Sequence, residues 1–267
     1  MWTNDITQII FINWGIMLAF CAVLWAFCMA FSDVSIIDRF WGPMCAAPSV
    51  MTLLQTDTYS PHALAITALA VIWALRLSYH ITTKNWNAGQ DFRYDEDESP
   101  ALTRASSPLK TLGLVFFGQA TLAWLVSFPV QLGQFYTAGM ALSYLAWIGI
   151  AVCVIGFFIE MIGDLQLLRF KCKPENKGKI MDQGLWAWTR HPNYFGDATV
   201  WFGLGIIALE APLGLYGMFG PILLCYFLVK QTGVDLTEKV MLKKYPIYQE
   251  YMDRTSMFIP LPPRRQD

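Results

Sequence analysis

The chain has 267 residues, of which 55% are hydrophobic and only 15% charged, and its formal net charge is −1. A soluble globular domain carries about a quarter charged residues, so this composition points to an integral membrane protein. The near-neutral balance offers no basic field for a nucleic-acid partner.

Hydropathy predicts seven membrane-spanning helices, over 9–31, 34–54, 63–83, 112–132, 138–162, 196–211 and 213–230. A span needs about 20 apolar residues. The first apolar run follows MWTNDITQ, which has neither a basic n-region nor a small-residue cleavage site. It is therefore expected to be a span rather than a cleaved signal. Seventeen of the nineteen Lys and Arg lie in 84–110, 169–190 and 230–265; the other two are Arg39 and Arg76. With seven spans, all three basic segments fall on the cytoplasmic side and the N-terminus outside. The cysteines at 21, 28, 45, 153, 172 and 225 show no CxxC or Cys/His spacing. They read as unpaired packing residues, and no metal site is expected.

Polar side chains within these apolar segments mark candidate functional positions, because charge in hydrocarbon is costly without a partner or a cavity. In SDVSIIDRFWG, Asp38 and Arg39 adjoin Phe40 and Trp41 near the end of the second span. The pair reads as an interfacial anchor or as a carboxylate set against aromatic rings. Arg76 lies inside the third span, with Tyr79 and His80 three and four residues on, along one helical face. Gln119 and His62 carry no such signal. The loop after this span holds Arg93 and Tyr94, a pair suited to a phosphate and a ring, followed by four consecutive acids. Glu160 and Asp164 stand one turn apart at the end of the fifth span. They repel, so a cationic or hydrogen-bond-donating group is expected between them. Arg169, Lys171 and Lys173 follow.

The densest polar stretch is GLWAWTRHPNYFGD, residues 184–197. Trp186 and Trp188 suit an interfacial belt. Arg190 and His191 can donate to phosphate, and Pro192 suits the first turn of the next helix. Tyr194 adds a ring. Asn193 and Asp197, four residues apart, point an amide and a carboxylate the same way, as a clamp for a carboxamide or a ribose. The alternative is a capped helix start with interfacial charge. The tail brings Lys230, Glu238, Lys243 and Lys244, then Tyr245, Tyr248 and Tyr251, with the period of an amphipathic helix lying on the membrane.

The C-terminal half resembles two families. Arg190-His191-Pro192 is similar to the motif of isoprenylcysteine carboxyl methyltransferases, and Asn193-Tyr194-Phe195-Gly196-Asp197 to that of the steroid 5α-reductases. DVSIIDRFWG and the run from Arg76 to Tyr94 resemble bacterial membrane proteins grouped with the reductases. This second resemblance implies an all-α integral membrane fold: seven helices enclosing an amphipathic cavity open to the cytoplasm, in one domain and as a monomer. Residues 1–110 would form its substrate side and 111–267 its cofactor side.

The same resemblance implies NADPH-dependent reduction of the Δ4 double bond of a 3-oxo-steroid or similar apolar enone drawn from the bilayer. Asp38 is then the acid at the substrate carbonyl and Tyr79 a displaced phenol, with Phe40, Trp41 and Trp73 along the substrate. Cofactor contacts fall to Arg76, Arg93, Tyr94, Asp164, Arg169, Lys171, Trp188, Arg190, His191, Asn193, Tyr194, Asp197, Lys230, Glu238, Tyr245 and Tyr248. Glu238 stands where the reductases have an aromatic residue. The alternative is a methyltransferase using S-adenosylmethionine.

Overall fold

A computed structural model describes residues 2–57, 59–86, 107–135, 141–231 and 233–264. Among these the regular structure is helical, apart from an isolated bridge between Thr189 and Ser256. The expected contacts Arg93 and Tyr94 lie outside the described residues.

Helix α1 (Trp2–Phe31) leads through a tight turn, Val34–Phe40, into α2 (Trp41–Thr56). Asp33 caps that turn by accepting from the Ser35 amide. Helix α3 (Pro61–Lys84) starts on a Ser60 cap with proline in its first turn, as orphan amides there require. Helix α4 (Pro108–Val126) is followed by a short helix, Phe128–Leu132. Helix α5 (Tyr144–Lys171) begins on a Ser143 cap, and α6 (Pro192–Ala208) opens with Pro192. Helix α7 (Phe219–Tyr226) widens into a π-turn, Phe227–Gln231. Two polar helices, α8 (Val234–Lys244) and α9 (Tyr248–Arg254), complete the tail.

Five helical segments are long and apolar enough to cross a membrane: Ile6–Phe31, Pro61–Lys84, Pro108–Val126, Tyr144–Lys171 and Gly214–Lys244. The chain is thus a multi-pass membrane protein. The other two expected spans, 34–54 and 196–211, fall short for identifiable reasons. The first loses its opening third to the tight turn before α2, which leaves 16 helical residues. The second starts four residues earlier, at Pro192, but stops at Ala208 and runs only 17 residues. At 1.5 Å per residue each is about 25 Å long, against a hydrocarbon core of about 30 Å.

Both short helices are wedged against long partners. Along α5, Gly149, Gly156 and Gly163 recur every seven residues, and Gly196 and Gly203 answer them on α6. A Cβ on Gly156 would lie 2.8 Å from the Gly196 carbonyl oxygen, and one on Gly203 only 2.5 Å from the Cys153 amide nitrogen. Backbones meet along this seam because no side chain intervenes. Similarly, a Cβ on Gly42 of α2 would sit 2.7 Å from the Ala74 carbonyl of α3. A buried apolar cluster runs through α1 to α7, from Met17 to Leu224.

Two polar clusters interrupt that core, one toward each end of α3. At the N-terminal end, Asn13 Nδ2 donates to Thr52 Oγ1 and Gln131 Oε1, both at 2.9 Å, and Gln134 Nε2 donates to Thr67 Oγ1 at 3.1 Å. There too, His62 Nε2 lies 3.1 Å from Glu210 Oε2, and Ser143 Oγ donates to the same carboxylate. The charged cluster at the other end forms the candidate site.

Candidate functional site

Arg76 reaches from α3 to α5 and bridges both acids there. Its guanidinium donates to Glu160 Oε1 at 2.5 Å and to Asp164 Oδ2. The remaining Glu160 oxygen accepts from the Trp73 indole at 3.0 Å. His80 Nε2 stands 3.5 Å from Asp164 Oδ2. The donor expected between Glu160 and Asp164 is therefore Arg76, helped by Trp73, and not the cations that follow on α5. Trp73 is fully buried and crosses Trp201 edge-on, with ring centroids 5.2 Å apart.

Helix α6 adds the third acid. A Cβ on Gly196 would lie 2.4 Å from the Glu160 amide nitrogen, so the missing side chain is what lets α6 approach here. Asp197 is buried beside it, within electrostatic reach of Arg76, Glu160 and Asp164. Asp197 Oδ1 and Asn193 Oδ1 are both buried without a hydrogen-bond partner. Three carboxylates thus face one guanidinium, with two bare oxygens on the α6 side.

Lys171 follows Asp164 by seven residues and Glu160 by eleven, so it shares their helical face at about 100° per residue. Its charge is felt by Lys84 at the end of α3 and Lys244 at the end of α8. These lysines gather positive charge at the ends of α3, α5 and α8, a basic mouth if a ligand enters there. Arg169 lies on the opposite side of α5, and Lys230 pairs with Asp235 at 3.6 Å.

The Arg190–His191 pair is turned inward. Arg190 Nε donates to Glu238 Oε1 at 2.6 Å, and its terminal nitrogens donate to Glu238 Oε2 and to the carbonyls of Met252 and Thr255. His191 Nε2 lies 3.2 Å from the same Glu238 and stacks on Tyr194 at 5.4 Å. Burial holds the His191 imidazole below its ordinary range, and the nearby guanidinium adds to this, against the pull of Glu238. Tyr251 donates to the Trp186 carbonyl at 2.5 Å, and the Trp186 indole donates to the Gly163 carbonyl at 3.0 Å. Burial raises the Tyr248 and Tyr251 phenols. The tail is thereby clamped to the residues that launch α6.

The remaining expected residues divide. Asp38 is buried in the turn before α2, and the Arg39 carbonyl accepts from Ser78 Oγ of α3 at 2.6 Å. Phe40 and Trp41 adjoin it half-buried, Phe40 edge-on to Phe20. Tyr79, 71% exposed, and Trp188, 48% exposed, face outward. Tyr245 is half-buried with the Lys244 ammonium over its ring. Sequence reasoning assigned no role to the buried pair His62–Glu210. These residues lie far apart in the chain and carry no local pattern.

Residues 24–255 match the model of a family described as proteins of unknown function, DUF1295. The chain belongs to that family. The matched region contains every residue of the charged cluster and the Arg190–Glu238 clamp. A curated relative, an uncharacterized protein of Schizosaccharomyces pombe, is 26% identical over 282 residues, spanning 92% of this chain and 78% of the relative. No solved structure matches.

Proposed function

We propose that this DUF1295 protein is an NADPH-dependent membrane reductase. It would reduce the Δ4 double bond of a 3-oxo-steroid, or of a similar apolar enone, by hydride transfer. The observation that carries the reading is the pair of bare buried oxygens, Asn193 Oδ1 and Asp197 Oδ1, on one face of α6. An unsatisfied buried polar group costs about 1–3 kcal/mol, so the occupant that relieves it brings N–H or O–H donors. A carboxamide has that chemistry. The basic mouth at Lys84, Lys171 and Lys244 suits phosphates. The residues therefore fit a phosphorylated dinucleotide, which would supply the hydride when bound.

The chain's own groups do the rest. Asn193 and Asp197 orient the ligand from α6, and Arg76 keeps Glu160 and Asp164 paired beside it. Arg190, His191 and Glu238 act as positioning residues that fix the start of α6. Their donors are already committed, so they do not serve as phosphate ligands in this reading. Asp38, in its acid form, donates to the substrate carbonyl and stabilises the charge that develops there, a contact worth about 2.7–4 kcal/mol in a dry site. Phe40 and Trp41 offer the apolar rings beside it. Tyr79 points outward, so the acid role rests on Asp38. The apolar substrate partitions from the bilayer. The seven-segment arrangement, with its N-terminus outside, would put the basic mouth in the cytoplasm, where the dinucleotide is.

The excess of buried carboxylate over guanidinium also favours a second reading, because a cationic sulfonium is at home beside three acids. This is the S-adenosylmethionine methyltransferase alternative. Incubating purified protein with NADPH and progesterone-like enones, with products weighed by mass spectrometry, tests the first reading. The expected result is a gain of two hydrogens, abolished by Asn193→Ala with unchanged thermal melting. Co-purification of S-adenosylmethionine, with no reduced product, would replace the first reading by the second.

A further inference from the structure

A second basic feature lies on the far side of α5 from the acid cluster. A pocket of about 380 Å³ opens where α5 ends, walled by Gln166, Arg169, Phe170, Lys173, Glu175 and Gly184. The side chains of Arg169 and Lys173 have no hydrogen-bond or ion-pair partner among the described residues. The wall is built rather than incidental. Gly184 adopts φ +61°, and a Cβ there would collide with the Gln166 amide at 2.5 Å. Gln166 Oε1 accepts from the Leu185 amide at 3.0 Å, and Asn176 Nδ2 donates to the Phe170 carbonyl at 2.9 Å. These contacts hold the loop after α5 against the helix end.

Below the pocket, α5 presents Ile155, Phe158, Ile162 and Leu165, all exposed. At about 100° per residue they fall within roughly 40° of the line through Arg169. The result is a straight apolar stripe on a span, ending at two cations at the membrane surface. Such an arrangement matches one amphiphile, with chains along the stripe and a charged group at the end.

We propose that this pocket binds the headgroup phosphodiester of an anionic glycerophospholipid, whose acyl chains lie along Ile155–Leu165. Glu175 decides the charge class. Two cations and one carboxylate leave a single positive charge, which a phosphodiester neutralises. A multiply charged nucleotide or free phosphate would face Glu175 with an excess of negative charge. The inference does not depend on the reductase reading, since Arg169 points away from Glu160, Asp164 and Asp197.

The test is native mass spectrometry of the full-length protein in detergent, titrated with phosphatidylglycerol, phosphatidylcholine, inorganic phosphate or NADPH. The expected result is preferential retention of phosphatidylglycerol. An R169Q/K173Q variant should weaken it about tenfold, as the loss of charge-assisted phosphate contacts implies. Both side chains are solvent-facing, so melting in detergent should not change. A K177Q/K179Q variant, removing nearby lysines outside the pocket wall, should bind as the parent does. Equal retention of both lipids, equal losses in the two variants, or displacement of the lipid by NADPH or phosphate would each overturn the proposal.

Discussion

Near the start of α3, Thr67 joins a cluster of amides and hydroxyls: Asn13, Thr52, Gln131 and Gln134. Nine residues on, Arg76 joins Glu160, Asp164 and Asp197. One helix thus carries both of these polar clusters. The amides and hydroxyls of the first are neutral and bond to one another and to backbone carbonyls of their own and neighbouring helices, with Gln134 Oε1 left bare. The second has more acid than base and leaves oxygens bare on Asn193 and Asp197. Neutral groups that find partners hold helices together at modest gain. Uncompensated charge is tolerated only where something else is accommodated. The excess of charge separates scaffold from site without reference to any relative.

The largest expected effect comes from stranding the charge. Arg76→Met leaves Glu160 and Asp164 facing each other, and breaking a buried pair by removing one partner costs about 3–5 kcal/mol. Thermal unfolding in detergent reads the loss. Adding Glu160→Gln and Asp164→Asn to Arg76→Met should recover most of it. A triple variant as unstable as the single one would mean that Arg76 acts by packing rather than by charge.

Asp197→Asn separates function from stability. It removes one of three like charges, so the folded protein should be no less stable than the parent, while binding of the dinucleotide falls at least tenfold, about 1.4 kcal/mol. Isothermal titration with NADPH measures the second quantity and melting the first. Tight binding by the variant would take Asp197 out of the ligand site.

The clamp at Arg190 gives a pH signature of intermediate size. The His191 imidazole is depressed from its ordinary value of 6.5. The unfolded chain therefore takes up a proton that the folded one refuses. Stability is complete above about pH 6.5 and declines as pH falls below it, by at most about 1.4 kcal/mol per unit from this group. Carboxylates add their own slope further down. His191→Asn should flatten the upper part of the decline, between pH 7 and 5.5, in melting curves. A variant with the parent's slope would assign the decline to other groups.

The helical, membrane-bound character was legible in the apolar runs, and the glycine heptad along α5 was legible too, had its period been set against that of α6. The need for a counter-charge between Glu160 and Asp164 followed from their spacing alone. That Trp73 would share the task with Arg76 did not follow, because it depends on how α3 crosses α5. The inward turn of Arg190 was hidden for a similar reason. Its partner Glu238 lies 48 residues on, and a basic residue before a helix reads equally well as a phosphate ligand. The length of the second span misled because hydropathy continues through the tight turn at Val34–Phe40, where the α-helix does not, and the sixth was expected four residues late because the helix opens on the polar stretch at Pro192.

The smallest effect tests the neutral cluster directly. Gln131→Leu keeps the volume and removes an acceptor for Asn13 and a donor to Ser127. Asn13 Nδ2 retains its bond to Thr52, so no donor is stranded. Side-chain hydrogen bonds between membrane helices average about 0.6 kcal/mol, and the loss should be of that order, far below that of Arg76→Met by the same measurement. Two amides so placed can exchange partners as the helices shift, whereas a guanidinium between two carboxylates cannot leave one without exposing the other. A Gln131→Leu loss as large as the Arg76 loss would mean that the amide cluster is as tightly committed as the charged one, and the distinction between scaffold and site would have to rest on the excess of carboxylate alone.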